Sequence, residues 1–383
     1  MKIKSKQHII HNLDEWYAFT ENNKSLKNTV LQDINFCAEN IDWSLYKINQ
    51  TSFLGCTLKK EDAIGLIERG AFYYPKFSKL PFNPYRSFLY TWQELMDGYH
   101  PLDDRSVDLK IYKHFSETKY TSTVHEAMAQ RIHDHSIDDA LRELLEYDAN
   151  GMTKKKCVGF MGGHSTTRGS EFYNKTALAA KKITEKGFYV VTGGGPGIME
   201  AANLGAYMAN YSDEDLIDAI AMLSDLDFES SNQVDYLAKN YHTQAKLVLD
   251  KYSNKSESLA IPTWFYGHEP SNLFATSIAK YFSNSIREDT LLAISLYGIV
   301  YAPGSVGTTQ EIFQEAAQNH YGTFGYYSPM VFLGVKRYVE DTSLYSVLHQ
   351  LAEGYKYKEL LYLTNEAEEA VDFILKNPPI KVE

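Results

Sequence analysis

The 383-residue sequence lacks a cysteine framework: Cys37, Cys56 and Cys157 are widely spaced and form no CxxC pair. That excludes a disulfide-stapled scaffold and a cysteine-rich zinc or redox site, and reduced buried thiols are what we expect. No run of 18 apolar residues occurs, so the sequence predicts no membrane-spanning helix. Met1–Tyr17 has no apolar signal-peptide core, and we therefore expect a cytoplasmic protein.

Basic residues are in the minority: 38 lysines and arginines stand against 49 aspartates and glutamates, and the formal net charge is −11. Proteins that grip a polyanion usually carry a basic surplus, so partners such as nucleic acid or an anionic membrane are disfavoured. A small anion stays compatible, because local geometry can hold one against the net field. Internal repeats and low-complexity segments are absent too, and the 44% hydrophobic share is typical of a globular protein.

The length suggests two domains, and the two parts of the sequence differ in pattern. Residues 1–150 mix strand and helix signals among many aromatics, which predicts an accessory or regulatory α+β region. A second helix-start signal at Ser136 leaves open a break in its last helix. The boundary is predicted at Asn150–Gly151. In residues 151–383 apolar strand-like runs alternate with helical patterns, which predicts a Rossmann-like, doubly wound parallel sheet with a polar helical insert at 210–256.

A glycine-rich loop, Gly193–Gly197, joins a predicted strand ending at Thr192 to a predicted helix beginning at Ile198. Glycines let the backbone approach a ligand, and the helix would direct its positive end towards that ligand. A tight turn from strand to helix needs glycine in any case, so the loop alone does not decide between the two interpretations. The acidic residues that follow lie in the polar insert, which argues against a dinucleotide site.

A second loop, Pro303–Glu311, follows the predicted strand Gly298–Ala302. Two glycines leave room for an anion, hydroxyl side chains add donors, and a helix begins there. The loop has no P-loop lysine, so Walker-type nucleotide hydrolysis is not indicated. We predict Glu311 in the first turn of that helix, where it either caps free N–H groups or faces a substrate. Upstream, Arg287 lies in a helical stretch that leads into the same strand, and its guanidinium can grip a phosphate or brace a carboxylate.

Taken together, the two loops resemble the LOG (Lonely Guy) family, once misnamed lysine decarboxylases, whose signatures are GGGxxGxM and PGGxGTxxE. The resemblance spans about Cys157–Leu375, and Ser305 replaces the second glycine of PGG. Arg287 is followed by Glu288 where cytokinin-activating members have lysine. The insert and the long N-terminal region are more similar to the bacterial members that are nucleotide 5′-monophosphate nucleosidases.

The resemblance implies a phosphoribohydrolase that splits an AMP-like nucleoside 5′-monophosphate into free base and ribose 5-phosphate, with no metal or other cofactor. It assigns catalysis to Arg287 and Glu311 and implies a homodimer or larger homo-oligomer. The implied phosphate and nucleotide contacts are Gly163, Ser165, Gly194, Gly195, Gly304, Ser305, Gly307 and Thr308. His268, Glu269 and Asn272 follow the third strand and either line the base pocket or structure their loop. The rival hypothesis is a non-catalytic nucleotide sensor or carrier.

Overall fold

The computed structural model describes residues 7–100, 105–148, 153–228, 234–267 and 270–382. The chain divides into two compact units. We call them the N-terminal unit (Met1–Leu89 and Lys113–Lys154) and the C-terminal unit (Tyr90–Tyr112 and Lys155–Glu383). The predicted boundary at Asn150–Gly151 lies outside the described residues. Within the described ranges, no helix is long and apolar enough to cross a membrane.

The N-terminal unit is built on a four-stranded parallel sheet whose strands lie side by side in chain order. Its first elements are β1 (His8–Ile10), α1 (Leu13–Glu21), β2 (Thr29–Gln32), β3 (Ser52–Leu54), α2 (Lys60–Glu68) and β4 (Phe72–Tyr74). Next in sequence come α3 (Trp92–Leu95), α4 (Val107–Thr118) and α5 (Val124–Leu144). Of these, α3 belongs to the C-terminal unit and α5 to the N-terminal unit.

An aromatic cluster fills the core of the N-terminal unit. The Trp16 ring lies with its centroid 5.5 Å from that of Phe36 and 5.4 Å from that of Trp43. Tyr46 and Phe53 complete the cluster, and all five side chains are buried. Edge-to-face and tilted contacts at these distances add to the apolar burial of each ring. Aromatic packing therefore forms the core of this unit.

The C-terminal unit contains a seven-stranded, all-parallel sheet in the order β12-β11-β9-β5-β6-β7-β8. Its strands are β5 (Cys157–Met161), β6 (Tyr189–Thr192), β7 (Leu259–Ala260), β8 (Ser277–Ile278), β9 (Ile299–Tyr301), β11 (Met330–Leu333) and β12 (Leu361–Thr364); β10 (Tyr326–Tyr327) and β13 (Ile380–Lys381) pair separately. Its helices are α6 (Glu171–Glu185), α7 (Ile198–Tyr207), α8 (Asp213–Ser224), α9 (Tyr241–Lys251), α10 (Asn284–Ile294), α11 (Val306–Tyr321), α12 (Leu344–Leu351) and α13 (Ala367–Lys376).

Helices cover both faces of this sheet. Val158 and Phe160 pack with residues of α6, α7 and α13 in one buried cluster. Side chains alternate along a strand, so Gly159 faces the other way, and a Cβ there would lie 2.8 Å from the Ser295 hydroxyl at the end of α10. The predicted Rossmann-like parallel α/β fold is confirmed.

Strand order reverses between β5 and β9. From β5 the chain builds outward through β6, β7 and β8, then returns to place β9 against the other edge of β5. Adjacent parallel strands whose connections leave in opposite directions open a crevice at their carboxyl ends. The loops after β5 and β9 therefore meet at this crevice.

Two local features differ from the sequence-based expectation. Helix α5 runs without a break through Ser136, because the Ser136 hydroxyl donates to the Pro84 carbonyl (2.9 Å) instead of capping a new helix. The two-residue strand β8 is an addition that the sequence did not indicate. The insert at 210–256 contains α8 and α9, and some of its apolar residues, among them Leu216 and Val248, are buried in one cluster with residues of α6 and α7.

Candidate functional site

A cavity of about 390 Å³ lies at the carboxyl ends of the strands of the C-terminal unit. Its walls come from the loops after β5, β6, β7 and β9 and from the helices α10 and α11. It is lined by residues 161–164, 193–195, 199, 262, 263, 266, 267, 287, 288, 305–308, 310 and 311. Most of the residues singled out from the sequence lie in or beside this cavity.

The loop after β6 packs closely against its neighbours at Gly193 and Gly194. Gly194 has a φ of +79°, and a Cβ there would lie 2.8 Å from the Ala260 side chain, so only glycine fits without strain. A Cβ on Gly193 would lie 2.5 Å from Nη2 of Arg287. The absence of a side chain at Gly193 thus leaves room for Arg287 in the cavity wall.

Gly163 joins three loops through its backbone. Its N–H donates to the Pro303 carbonyl (3.0 Å), and its carbonyl accepts from the N–H of Ile198 (3.1 Å). Both groups are occupied, so Gly163 lines the cavity but does not offer its N–H to a ligand. Ser165 is exposed and is not among the described residues that line the cavity.

The start of α11 forms part of the cavity wall and has unpaired backbone N–H groups. The first backbone hydrogen bond of this helix runs from Thr309 to the Ser305 carbonyl (3.1 Å), so the N–H groups of residues 306–308 precede it and have no helical acceptor. Ser305 is the N-cap residue, and its side chain makes no capping hydrogen bond. Gly304 lies behind, where a Cβ would come within 2.1 Å of the Thr308 hydroxyl oxygen.

Arg287 projects from α10 between two carboxylates. Its Nε donates to the Ile261 carbonyl at 2.8 Å. Its Nη1 lies 3.7 Å from Oε1 of Glu311 and 3.9 Å from Oε1 of Glu288. Glu288 in turn accepts a hydrogen bond from Nε2 of Gln310 (2.7 Å). The structure thus brings together Arg287 and Glu311, which are far apart in sequence.

Glu311 is the sixth residue of α11, so it lies in the second turn. The prediction of a first-turn position is wrong, and with it the capping alternative, because the free N–H groups are out of reach from the second turn. Burial and the neighbouring Glu288 raise the pKa of Glu311 to about 7, against the opposing effect of Arg287. A carboxyl with that pKa is suited to proton transfer near neutral pH.

The residues predicted to line a base pocket are not found among the described cavity-lining residues. Asn272 is buried and is not among the described cavity-lining residues. Its amide donates to the carbonyl oxygens of Gly195 (3.3 Å, from Nδ2) and Gly194 (2.9 Å, from the backbone N–H), which supports the glycine loop from behind. His268 and Glu269 lie outside the described residues. Tyr266 was not predicted from the sequence; its largely exposed ring lines the cavity, and its hydroxyl accepts a hydrogen bond from Asn284 (3.0 Å).

A buried ionic cluster supports the loop after β5. Arg168 donates to both carboxylate oxygens of Glu200, which is on the first turn of α7. The hydroxyls of Tyr173 (3.0 Å) and Tyr241 (2.9 Å) donate to the same carboxylate. Arg168 also donates to the carbonyl oxygens of Leu223 and Tyr241 in the insert. The cluster therefore ties the insert to the two loops on one side of the cavity.

Within the described ranges, no set of three or more His, Cys, Asp or Glu side chains is placed to hold a metal ion.

Comparison with known proteins leaves the family open. No family model matches the chain, and no curated protein matches it. Among solved structures, two of the molybdenum cofactor carrier protein from Chlamydomonas reinhardtii are similar to 58% of this chain at 16% identity. The chain covers 100% and 99% of those structures, with TM-scores of 0.36 and 0.34.

Proposed function

We propose that the chain is a nucleoside 5′-monophosphate phosphoribohydrolase, an N-glycosidase that releases free base and ribose 5-phosphate. The observation that carries the proposal is the pair formed by Arg287 and Glu311, 3.7 Å apart in a cavity that also contains the open start of α11. The resemblance of the two glycine loops to the LOG family supports the same reaction.

The start of α11 suits the 5′-phosphate. Free N–H groups at residues 306–308 and the positive end of a 16-residue helix favour an anion there. Arg287 adds a fixed cation to the same cavity. These groups form a local positive site that is compatible with the acidic net charge of the chain. Holding the phosphate would also fix the ribose against Glu311.

The carboxyl group of Glu311 is suited to assist cleavage of the N-glycosidic bond. Cleavage of an N-glycosidic bond passes through an oxocarbenium-like state, in which the ribose carries positive charge. A carboxylate beside the anomeric carbon stabilises that charge and orients the attacking water. Acid–base assistance of this kind contributes about 10²–10⁴-fold to the rate. The ring of Tyr266 on the cavity wall offers a surface on which the base can stack.

The test is incubation of the protein with AMP, GMP, CMP and UMP, with chromatographic detection of free base and ribose 5-phosphate. We expect cleavage of at least one nucleotide and a loss of about 10²-fold or more in Glu311→Gln. Glu315→Gln is the matched control, because Glu315 is a buried carboxyl one turn further along α11 and is not among the described residues that line the cavity. It should keep its activity.

Two outcomes would contradict the proposal. Nucleotide that raises the melting temperature but yields no product would favour the sensor or carrier hypothesis. Retained activity in Glu311→Gln would remove this residue from the reaction. The resemblance also leads us to propose a homo-oligomer in the cytoplasm, and the mass of the protein in solution tests the first part.

A further inference from the structure

Three ionisable side chains meet in the cavity: the guanidinium of Arg287 and the carboxyl groups of Glu288 and Glu311. Arg287 is held in place by the Ile261 carbonyl and by the close approach of Gly193, so it cannot swing towards either carboxylate. Its Nη1 lies at nearly equal distances from Glu288 (3.9 Å) and Glu311 (3.7 Å). One guanidinium cannot neutralise two carboxylates in a site where each is only 11–14% exposed.

The two carboxyl groups differ in their hydrogen bonds. Glu288 accepts an N–H from Gln310 at 2.7 Å, and such a bond favours the ionised form. Glu311 has no hydrogen-bond donor among the described residues and has only the longer contact with Arg287. The proton is therefore held most easily on Glu311. The raised pKa of Glu311, to about 7, agrees with this assignment.

We propose that Glu288 is a positioning residue, which shares Arg287 with Glu311 and so leaves Glu311 able to carry a proton to the departing base. This inference rests on the proposed function. As the bond between C1′ and the base nitrogen breaks, its electron pair goes to the base, and the Glu311 proton is transferred to the base. The resulting carboxylate faces the oxocarbenium ion. Water then attacks C1′ and returns one proton to Glu311, which gives ribose 5-phosphate.

Other titratable groups also face Glu311 and could affect its protonation. They are Arg287 and Glu288 from α10, Tyr266 from the loop after β7, Tyr301 from β9 and Tyr338 from the helical turn Lys336–Glu340. His164, from the loop after β5, lines the same cavity. The tyrosine pKa values are raised, so these hydroxyls stay neutral around pH 7. Glu288 is therefore the acidic neighbour that shares Arg287 with Glu311.

The chain provides a matched control for removing this charge. Asp289, the next residue of α10, accepts a hydrogen bond from Gln314 of α11 at 2.7 Å, just as Glu288 does from Gln310. Asp289 is exposed and is not among the described residues that line the cavity. Glu288→Gln and Asp289→Asn thus remove the same charge from two equivalent links between the same helices, and only the first changes the cavity.

The experiment is the pH profile of kcat for the wild type and both variants. A proton donor makes kcat fall as pH rises above its pKa. In Glu288→Gln that fall should begin roughly 1 pH unit lower, which lowers kcat about tenfold at pH 8. Asp289→Asn should keep the wild-type profile. Equal profiles for the wild type and Glu288→Gln, or equal shifts in both variants, would overturn the proposal.

A second measurement separates this inference from the proposed function. Carboxyl-carbon NMR titration follows the protonation of Glu311 without any substrate. If the wild type cleaves no nucleotide, the proposed function fails, yet Glu288→Gln should still lower the midpoint of the Glu311 titration. An unchanged midpoint would overturn the role of Glu288 alone. Should Glu288→Gln not fold, Glu288→Asp withdraws the carboxylate from Arg287 and should shift the midpoint in the same direction by less.

Discussion

The two parallel sheets of this chain use the same hydrogen-bonding pattern and differ in strand order. In the N-terminal unit, β1 to β4 lie in chain order, and the register pairs His8 with Thr29, Val30 with Ser52, and Ser52 with Phe72. In the C-terminal unit, the order reverses at β5 and β9, and the cavity lies at that reversal. A reversal makes the loops at neighbouring strand ends diverge, and the gap between them leaves room for a ligand. A sheet whose strands lie in chain order has no such gap.

The buried groups of the two units differ accordingly. The N-terminal sheet packs on an aromatic cluster around Trp16 and Trp43. The C-terminal unit buries the ion pair between Arg168 and Glu200 next to its cavity loops. Packing without charged groups makes a stable core, whereas buried charges fix the direction of particular loops at the expense of desolvation. The N-terminal unit also buries charged groups, His133 and Asp134 on α5, so the difference lies in where such groups are: in the C-terminal unit, Arg168 and Glu200 lie beside the cavity loops.

The largest effects on stability should come from substitutions in the aromatic cluster of the N-terminal unit and in the buried ion pair of the C-terminal unit. Trp16→Ala removes the central ring of the aromatic cluster and should lower the free energy of unfolding by about 3–5 kcal/mol. Glu200→Gln leaves Arg168 buried without its anion and should lower it by about 3–5 kcal/mol as well. Only Glu200→Gln should also reduce kcat, by roughly 10- to 100-fold, because the loop after β5 loses its anchor. Urea unfolding and nucleotide cleavage measure the two quantities.

Tyr173→Phe is the control for the second variant. It removes one hydrogen bond to Glu200 and leaves the ion pair with Arg168, so we expect a loss of about 1 kcal/mol and an unchanged kcat. If Trp16→Ala lowered kcat of the folded protein as much as Glu200→Gln does, the division of roles between the two units would be wrong.

The parts of the site that could be predicted are those that local sequence determines. Apolar runs followed by glycines predicted β5, β6 and β9 with their loops, because a buried strand and a tight turn each need only neighbouring residues. The pairing of Arg287 with Glu311 came from the resemblance of the two loops to a known family and not from local sequence. The first-turn position of Glu311 was wrong because the helix begins earlier than expected, at Val306, directly after Ser305.

What could not be predicted depends on contacts between distant segments. The bond between Glu288 and Gln310 joins two helices, and nothing in either helix alone signals it. The two-residue strand β8 is too short to show an alternating pattern. The structural repeat in the N-terminal sheet, at intervals of about 20 residues, has no repeated residues to reveal it.

The free energy of unfolding should depend on pH through a buried carboxyl group of the C-terminal unit, Glu315. Burial raises the pKa of Glu315 from 4.5 to about 7, while the Ser328 hydroxyl donates to its carboxyl. The folded protein therefore holds this proton more tightly than the unfolded chain does. Its stabilising contribution is present below about pH 4.5 and is lost as pH rises through about 7, by about 3 kcal/mol in total.

Glu315→Gln isolates this contribution, because the amide oxygen can still accept from Ser328 and no longer titrates. Urea unfolding between about pH 5 and pH 8 should show a steeper fall in the wild type than in the variant. Glu311 also titrates in this range, but it is present in both proteins, so its effect cancels in the difference. Parallel curves would mean that Glu315 does not hold its proton in the folded state.

Gly307→Ala should cause the smallest change in stability, and it should affect stability and ligand binding in opposite directions. A Cβ on Gly307 would meet nothing within 4 Å and would project at the open start of α11, so Gly307→Ala should stabilise the protein by about 0.5–1 kcal/mol. The same methyl group would stand where a phosphate must approach the free N–H groups, so binding of AMP and ribose 5-phosphate should weaken. Gly304→Ala should do the opposite to stability, because its Cβ would lie 2.1 Å from the Thr308 hydroxyl oxygen. Calorimetric titration with ribose 5-phosphate decides the matter: if Gly307→Ala binds it as tightly as the wild type does, the phosphate does not sit at the start of α11.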